Sequence, residues 1–563
     1  MKSFLIKYRH TLILIAIIAL ASFLRLFQLG SLPAILNRDE AALAYNAYLI
    51  SQTGMDEHEV FMPVYFESFG DFKLPGYIYI LAGIYRVFPS LAFNDFVVRL
   101  PSALAGAGLV FISYKLAKLL GGKQKCSESL GLFFAFLVSI TPVLIWYSRG
   151  AWEANLALFY SVAAFYIVVK QFKNWQTRRR AWSWQNLIIL AVLLVLAIFT
   201  YNSPLLILPF AILTLILCSG LKNYHFYFKP VLLMTAITIF GFLALIPLTA
   251  QKDGITIFND PTVWHQFVEH RESFDNPILA RTLGNQYVFY ISNMIESLFA
   301  SFSPNFLVLT GGEHPWHQLG HGFVHIYWSM LFFLYLGLFG QLVWFIFKSV
   351  VFIYQKIHRQ KTNFSWRSFW PLMMVVICLA PAVITVDAPH ATRSLTFFYF
   401  VVLMVWLTMT YLVQKFVAVS YWQKFMERNK KWLFISILIA ILVIEGSTYI
   451  HRYFFVFPSD QSRYQAGLDL AIAKIEENLS NQNFLVVSQD GDNYIYILAA
   501  WYAELSSEIF FSTIERGPIT VYGIRKGLTV GRYRFEIGPE TWQENEGLLL
   551  YNSREEIWEI QQH

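Results

Sequence analysis

Charged residues are scarce in this chain. Asp, Glu, Lys and Arg make up 14% of its 563 residues, whereas 56% are hydrophobic. Average soluble domains carry about 25% charged residues, so the composition excludes an ordinary soluble protein. Runs of roughly 20 apolar residues recur along the chain, and each is long enough to cross a hydrocarbon core as a helix. The sequence therefore predicts a polytopic membrane protein.

Other features are missing as well. Segments of about ten residues with alternating polarity, typical of transmembrane β-barrels, are absent, so the spans are expected to be helical. The three cysteines, Cys126, Cys218 and Cys378, fall in a basic loop and in or near spans, which excludes a disulfide framework outside the cell. The net charge of +7 comes from short basic loops, a pattern that reports membrane topology and does not indicate nucleic-acid binding.

Clusters of Lys and Arg mark one side of the membrane. They precede the first span, residues 11–29, and follow every second span after it, for example at Lys115 and Lys118. Cytoplasmic loops carry an excess of Lys and Arg, so about eleven spans are predicted in the plasma membrane, with the N-terminus cytoplasmic. Residues 1–451 form this transmembrane domain, with long outer loops at 30–98 and 251–324.

From about residue 452 the composition becomes ordinary, and a small extracytoplasmic α/β domain is predicted over residues 452–563. Helical periodicity covers residues 464–479 and 494–504, whereas residues 484–488 and 519–524 have the pattern of strands. We expect the domain to lie outside the cell because the last span runs outward. Nothing in its sequence indicates a specific activity.

Two adjacent carboxylates, Asp39 and Glu40, follow the first span in the stretch Asn37-Arg38-Asp39-Glu40. Acidic residues favour the first turn of a helix, so one interpretation is a helix-opening turn. Carboxylates can also act as a general base or bind a divalent metal, so the second interpretation is a functional site. The position of the other ionisable residues favours the second interpretation.

Closely spaced ionisable residues of both signs collect in the predicted outer loops, several of them at span ends where unpaired charge is costly. We expect them to pair with one another or with a charged ligand. Arginine suits phosphate because its planar guanidinium binds oxygens bidentately. A vestibule facing lipid suits a lipid-borne substrate, so the residues predict phosphate-linked group transfer at the outer membrane face. The residues concerned are Asp39, Glu40, Asp71, Lys73, Arg99, Arg149, Glu153, His314, His317, His321, Asp387, His390 and Arg393.

This arrangement resembles the bacterial GT-C glycosyltransferases. The similarity rests on the Asp39-Glu40 pair, on Lys73-Leu74-Pro75 later in the same loop, and on Arg99-Leu100-Pro101-Ser102 at the start of the second span. Within that superfamily it is greatest to protein O-mannosyltransferase-like enzymes and to the lipid A aminoarabinose transferase. The resemblance covers about residues 1–450 and implies a GT-C-type membrane fold.

The resemblance implies inverting transfer of a sugar from a polyprenyl-phosphate donor to a protein, lipid or glycan acceptor outside the cytoplasm. Asp39 would be the general base, with Glu40 and Glu153 also in the catalytic site. A divalent metal cation is the candidate cofactor, with Asp71 as its candidate ligand, although Asp71-Phe72-Lys73 departs from the Glu-Lys-Pro triplet of the aminoarabinose transferases. The residues that would bind the donor phosphate are Lys73, Arg99, Arg149, His390 and Arg393.

Structural alternatives remain open for several of these residues. Glu40 could cap the following helix, and Glu153 could pair with Arg149 four residues earlier. Arg149 and Arg393 could extend toward lipid headgroups. His314, His317 and His321 lack the pattern of a zinc site and are expected in a structured loop. Glu445 is expected to pair with Arg452 or His451 at the interface.

Two other functions share part of this pattern. A transporter or flippase for lipid-linked glycans would carry ionisable residues near mid-membrane and broken helices in repeated halves. Most of the spans lack both features. An oligosaccharide ligase or oligosaccharyltransferase would share the architecture but take a longer donor.

Overall fold

The computed structural model describes the chain except for residues 1, 122–126, 179–181, 250–255, 313–324, 361–363, 419–425, 460–464, 480, 489–493, 520–524, 537, 553–556 and 563. Within helices and strands, the described part also excludes the side chains of residues 2–7, 71, 247–249, 416–418, 426–432, 434–435, 459 and 519.

Helices dominate the first 451 residues. In chain order they are α1 (Lys2–Leu26), α2 (Arg38–Thr53), α3 (Pro75–Val87), α4 (Asp95–Gly121), α5 (Ser127–Ile140), α6 (Pro142–Trp146), α7 (Glu153–Arg178), α8 (Trp184–Ile198), α9 (Ser203–Ser219), α10 (Tyr224–Thr249), α11 (Pro261–Glu272), α12 (Pro277–Thr282), α13 (Gln286–Ser301), α14 (Trp328–Ile357), α15 (Trp370–Ile377), α16 (Ala380–Val383), α17 (Leu395–Ala418) and α18 (Met426–His451). A short antiparallel hairpin, β1 (Phe66–Ser68) and β2 (Asp71–Lys73), separates α2 from α3.

Each predicted span coincides with a helix. Among the described residues, seven helices are long and apolar enough to cross a membrane: Tyr8–Leu26, Asp95–Gly121, Glu153–Arg178, Leu221–Ile246, Trp328–Ile357, Leu395–Lys415 and Ser436–Val456. The remaining predicted spans coincide with shorter apolar helices: Ser127–Ile140, Trp184–Ile198, Ser203–Ser219 and Trp370–Val383. The prediction of a polytopic helical membrane protein is confirmed. The orientation of the termini stays a prediction.

The chain divides into two compact units. The first unit comprises Met1–Leu24, Gly106–Trp146 and Ala157–His451. The second unit comprises Arg25–Ala105, Tyr147–Leu156 and Arg452–His563. One unit boundary thus falls between His451 and Arg452, where the sequence analysis divides the chain. The second unit also takes in the first predicted outer loop, whose packing partners in the C-terminal segment are far away in sequence. The division into the two predicted domains itself stays a prediction.

Among the described helices of the first unit that are long enough to span a membrane, α17 has the largest buried share. Its residues from Phe397 to Val405 are almost entirely shielded, and two thirds of its most apolar window is buried. A helix that is apolar on all sides needs neighbours on all sides, and α17 packs against α5, α14 and α15.

The C-terminal segment is α/β, as predicted. Its helices are α19 (Leu468–Asn478), α20 (Ile495–Tyr502) and α21 (Ser507–Thr513). Its strands are β3 (Asn483–Val487), β4 (Glu515–Ile519), β5 (Arg525–Val530), β6 (Tyr533–Glu536), β7 (Glu546–Asn552) and β8 (Ile557–Gln561). They form one sheet in the order β4-β5-β6-β3-β7-β8, in which β3 runs parallel to both of its neighbours. Predicted strand 519–524 overlaps β4 only at Ile519, and residues 520–524 lie outside the described part.

Candidate active site

The acidic pair lies at the start of helix α2, where Asn37 is the N-cap. The Asn37 side chain accepts hydrogen bonds from the backbone N–H groups of Asp39 and Glu40, at 2.9 and 3.0 Å. In return, Oε2 of Glu40 accepts the backbone N–H of Asn37 at 3.0 Å, which completes a capping box. The helix ends at Gly54, whose positive φ of 76° provides the left-handed cap. Asp39 and Glu40 therefore do lie in the first turn of a helix, as the helix-opening interpretation expects.

The two side chains nevertheless have different surroundings. Glu40 is 2% exposed, and its Oε1 accepts hydrogen bonds from Arg99 Nε at 3.0 Å and from the backbone N–H of Ala151 at 2.7 Å. Its Oε2 also accepts Arg99 Nη2 at 3.2 Å. These contacts involve both oxygens of the carboxylate. The geometry matches the capping alternative for Glu40.

Arg99, which opens the second predicted span, is completely buried. A guanidinium has five N–H donors. In Arg99 two of them reach Glu40, and the other three reach the backbone carbonyl groups of Leu29, Pro33 and Ile35 at 2.7–3.0 Å. No donor is left over for a phosphate. The side chain instead fixes the loop that leads from α1 into the acidic pair.

Asp39 differs from Glu40 because its side chain is 38% exposed. Its Oδ1 lies 2.6 Å from Nζ of Lys73, whose own side chain is only 6% exposed. Among the described residues, Oδ2 of Asp39 has no hydrogen-bond partner. The structure therefore joins two of the predicted site residues, which are 34 positions apart, and leaves one carboxylate oxygen accessible.

Lys73 is placed by the β1–β2 hairpin, in which it pairs with Phe66. Gly70, at the turn, has a φ of 86°, a backbone conformation that glycine adopts without strain. Asp71, the candidate metal ligand, begins β2, but its side chain lies outside the described part. The hairpin brings the lysine ammonium back to the start of α2.

The end of β1 is tied to a buried carboxylate that the sequence analysis missed. Glu57 is 1% exposed and accepts hydrogen bonds from Asn46 at 3.0 Å, Ser68 at 2.7 Å and Tyr496 at 2.6 Å. Arg516 lies 3.3 Å from it. Burial alone would raise the pKa of Glu57, but the charges of His58 and Arg516 and these hydrogen bonds bring that pKa below its usual value. The charged residues at positions 56–58 were the sequence feature that could have indicated this buried network.

Arg149 is also buried, at 1% exposure. Its Nε donates to the Tyr453 hydroxyl at 2.8 Å, and its Nη2 reaches the carbonyl groups of Gln28 and Leu32 at 3.3 and 3.2 Å. The guanidinium carbon lies 4.8 Å from the centre of the Tyr453 ring. A side chain held in this way does not extend toward lipid headgroups, so that alternative does not describe Arg149.

Glu153 is the first residue of α7 and is half-buried. Burial raises the pKa of the Tyr77 hydroxyl well above its usual value, and the charges of Glu40 and Glu153 add to this effect. Glu153 and Glu40 thus both act on Tyr77, within the second unit. Its predicted catalytic role stays a prediction.

His390 and Arg393 belong to the first unit, where both contact Asp387. Nη1 of Arg393 forms an ion pair with Oδ1 of Asp387, and Nε2 of His390 lies 3.6 Å from Oδ2 of the same residue. The backbone N–H of Arg393 also points at Nδ1 of His390, at 3.4 Å. The three residues thus form one local cluster. Their predicted contact with donor phosphate stays a prediction.

Two further expectations concern residues outside this cluster. Glu445 accepts hydrogen bonds from the backbone N–H and the hydroxyl of Ser329, so the pairing expected with Arg452 or His451 is wrong. The serine at the start of α14 supplies closer donors than either basic residue. His314, His317 and His321 lie outside the described residues.

The described residues do not fit a divalent cation at the acidic pair. The Lys73 ammonium already lies on Oδ1 of Asp39, and Arg99 contacts both oxygens of Glu40. Among the described residues, no group of three or more His, Cys, Asp or Glu side chains could hold a metal.

The first unit contains an apolar cavity of about 420 Å³. Its walls come mainly from α7, α9, α15 and α17, including Phe165, Leu208 and Met374, and it is also lined by Lys173 and Arg367. None of the predicted site residues that the structure describes lines it.

The structure confirms a helical membrane protein with a small α/β C-terminal segment, and its fold is similar to that of a solved oligosaccharyltransferase. Among solved structures, the chain is similar to the oligosaccharyltransferase AglB from Archaeoglobus fulgidus in complex with an inhibitory peptide and a dolichol-phosphate. The TM-score is 0.51 at 12% identity, over 89% of this chain and 64% of that chain. The apo form of the same enzyme gives a TM-score of 0.51 at 13% identity, over 88% and 64%. At these identities the similarity shows the fold.

A structure of ArnT from Cupriavidus metallidurans bound to undecaprenyl phosphate has a TM-score of 0.47 at 10% identity, over 88% of this chain and 85% of that chain. The chain spans 64% of the AglB chain that it matches. No protein-family model and no curated protein sequence matches the chain. The finer assignment to protein O-mannosyltransferase-like enzymes stays a prediction.

Proposed function

We propose that the chain is an integral-membrane glycosyltransferase that moves a sugar from a polyprenyl-phosphate donor to an acceptor on the extracytoplasmic face. The observation that carries the proposal is the Asp39–Lys73 pair, an accessible carboxylate held 2.6 Å from a buried ammonium at the start of a helix. A base and a cation side by side suit transfer from a phosphate leaving group. AglB, whose fold the chain shares, binds dolichol-phosphate in its solved structure.

In the proposed reaction, Oδ2 of Asp39 takes the proton of the acceptor hydroxyl as its oxygen attacks the anomeric carbon. The bond between that carbon and the phosphate oxygen breaks, and its electron pair leaves with the polyprenyl phosphate. Lys73 stabilises the negative charge that develops on the departing oxygen. Attack opposite to the leaving group inverts the configuration at the anomeric carbon.

Glu40, Arg99 and Arg149 act in this proposal as positioning residues. Glu40 joins α2 to Arg99 and to the backbone of Ala151, and Arg99 fixes the loop before α2. Arg149 fixes the same loop through Gln28 and Leu32. Each is buried, so the donor phosphate would have to displace existing hydrogen bonds to reach them.

A longer, oligosaccharide donor is the second candidate, because AglB is an oligosaccharyltransferase with the same fold. Purified full-length protein would be incubated with labelled polyprenyl-phosphate monosaccharides and with lipid-linked oligosaccharides, with donor consumption measured by mass spectrometry. We expect a monosaccharide donor to be consumed and polyprenyl phosphate to be released. Consumption of oligosaccharide donors alone would favour the second candidate, and no consumption of any donor would contradict the proposal.

A further inference from the structure

The apolar cavity of the first unit is long and follows helix α9. Its wall includes α9 residues from Pro204 to Ser219, a separation that corresponds to about 22 Å along a helix. Helix α7 lines the same cavity from Ser161 to Gln176. The hydroxyl groups of Ser161 and Thr214 on these walls each donate to a backbone carbonyl of their own helix, at 2.8 and 2.9 Å. Between its ends the cavity therefore offers a surface suited to an apolar chain.

Positive charge lies at one end of this cavity. Arg367 lines it where α9 ends, because its Nε donates to the carbonyl group of Cys218 at 2.7 Å and its Nη2 to that of Ser219 at 3.3 Å. Its Cζ atom also lies 5.1 Å from the centre of the Phe172 ring in α7. The next residue of α7, Lys173, lines the same cavity. The end of α9 and the ring of Phe172 thus bring both cations to one end.

Both cations keep hydrogen-bond donors for a ligand. Among the described residues, the half-buried Lys173 has no hydrogen-bond or ion-pair partner for its ammonium, and Nη1 of Arg367 has none either. No Asp or Glu is among the described residues that line the cavity. Residues 122–126, 179–181 and 361–363, which lie within a few positions of lining residues, contain no acid in their sequence. An anionic group attached to an apolar chain would complement this arrangement.

The opposite end of the cavity leads to a different set of charges. Pro204 lines that end, and its neighbour Ser203 donates to the carbonyl group of Arg393 at 3.2 Å. Arg393 belongs to the cluster predicted at the outer face, whereas Lys173 and Arg367 lie at span ends predicted to be cytoplasmic. The proposed sugar donor reacts at the outer face, so a lipid with its phosphate at Lys173 belongs to the other leaflet. Anionic phospholipids are characteristic of the cytoplasmic leaflet.

We propose that this cavity binds an anionic glycerophospholipid, with one acyl chain between α7 and α9 and the phosphate at Lys173 and Arg367. Guanidinium and ammonium groups both bind phosphate oxygens, and basic pockets between membrane helices on the cytoplasmic side hold lipid headgroups. The site goes beyond the proposed transfer reaction, since none of its described lining residues belongs to the acidic pair or to the Asp387 cluster.

The test measures lipid binding to the full-length protein, delipidated in detergent, by native mass spectrometry. Phosphatidylglycerol should bind at least about fivefold more tightly than zwitterionic phosphatidylcholine with the same acyl chains. Lys173→Gln should raise the Kd for phosphatidylglycerol about fivefold, because one basic contact is lost, and should change the Kd for phosphatidylcholine less than about twofold. Lys170→Gln is the matched control, because Lys170 is exposed on the same helix and does not line the cavity. Its Kd should equal that of the wild-type protein.

A second pair of variants tests the position of the acyl chain. Ala211 lines the cavity midway along α9, and Ala211→Phe should raise the Kd of both lipids about tenfold or more. Excluding even two methylene groups from an apolar site costs about that much affinity. Leu213→Phe is the control, because Leu213 is exposed on the same helix and does not line the cavity. Thermal unfolding without added lipid confirms that each variant is folded.

Three results would overturn the proposal: equal binding of the two phospholipids by the wild-type protein, binding of phosphatidylglycerol by Lys173→Gln as tight as by Lys170→Gln, or binding of both lipids by Ala211→Phe as tight as by Leu213→Phe. Tighter binding of undecaprenyl phosphate than of phosphatidylglycerol, with the same dependence on Lys173, would assign the cavity to the donor lipid and would also overturn it. The proposed function is tested separately, by consumption of labelled donor.

Discussion

Nζ of Lys73 lies 2.6 Å from Oδ1 of Asp39, although the lysine is buried and the carboxylate is 38% exposed. Of the two side chains in this ion pair, the carboxylate is the more exposed to solvent. A substrate approaching the pair would therefore meet the carboxylate of Asp39 first. Each residue can therefore be tested through a different kinetic constant.

Lys73→Gln should mainly impair use of the donor. The substitution keeps a hydrogen-bond donor near Asp39 but removes the charge that would stabilise the leaving phosphate. We expect kcat/KM for the donor to fall roughly 100-fold, in the range seen when one stabilising group is lost. Initial rates at varied donor concentration measure this change. Lys73→Arg should recover part of the loss, and a Lys73→Gln enzyme with unchanged kcat/KM would refute the role of Lys73.

Arg99→Lys should destabilise the protein although it conserves the charge. Lysine has three donors in place of five and cannot reach Glu40 and the three carbonyl groups together. Leaving buried partners unpaired costs about 3 kcal/mol or more of the free energy of unfolding. Denaturant unfolding in detergent measures it. Arg86→Lys, on the exposed end of α3, should change the free energy by about 0.5 kcal/mol or less. Equal effects of the two substitutions would contradict the structural role of Arg99.

Glu57 and Glu67 allow a comparison of a buried and an exposed ion pair. Glu57 is buried and lies 3.3 Å from Arg516, whereas Glu67 is partly exposed and lies 3.8 Å from Arg525. Glu57→Gln should reduce the free energy of unfolding by about 3 kcal/mol, because it leaves Arg516 without its charge partner. Glu67→Gln should cost about 0.5 kcal/mol. A loss as small for Glu57 as for Glu67 would show that the Glu57 network does not hold the hairpin.

Stability should decrease in mildly acidic solution because of His325. This residue is 2% exposed, and Nε2 lies 2.9 Å from the carbonyl oxygen of Gly311. Burial lowers the pKa of His325 from 6.5 to about 4. Below pH 6.5 the unfolded chain therefore binds a proton that the folded protein does not bind. The stability that neutral His325 provides is complete above pH 6.5 and is lost as the pH falls toward 4, by about 3 kcal/mol in total.

Thermal unfolding between pH 7.5 and 4.5 tests this prediction. His325→Gln, which remains neutral and can still donate to the Gly311 carbonyl, should lose part of the pH dependence. His265→Gln is the control, since this histidine lies on the exposed side of α11. If the wild-type protein and His325→Gln have the same pH profile, His325 is not the group that titrates.

The sequence predicted the membrane helices and the identity of the acidic motif because both depend on local pattern. Continuous apolar runs define spans, and Asp39 and Glu40 are adjacent in the chain. The sequence did not reveal which side chains these two carboxylates contact. The structure pairs Glu40 with Arg99, but the sequence would equally allow a pair with Lys73. The choice depends on the path of the loop between Leu29 and Leu36, which leaves no local pattern.

The role of the C-terminal segment was not predictable for a similar reason. Tyr496 and Arg516 reach Glu57 across more than 430 positions, and such contacts leave no periodic signal. Strands β5 to β8 were also missed. In β5 and β6, charged residues interrupt the apolar pattern that would mark a strand. Burial of Arg149 against Tyr453 was hidden by the same separation in sequence.

The central claim is that Asp39 is the general base. Its most direct test compares Asp39→Asn with the wild-type protein in single-turnover sugar transfer, using the labelled lipid-linked donor that the wild-type protein consumes. Asparagine keeps the size of aspartate and a partner for Lys73, but it cannot take a proton from the acceptor. We predict that the transfer rate falls at least about 100-fold while the Kd for undecaprenyl phosphate stays within a factor of about three. An Asp39→Asn enzyme that transfers sugar at the wild-type rate would contradict the account.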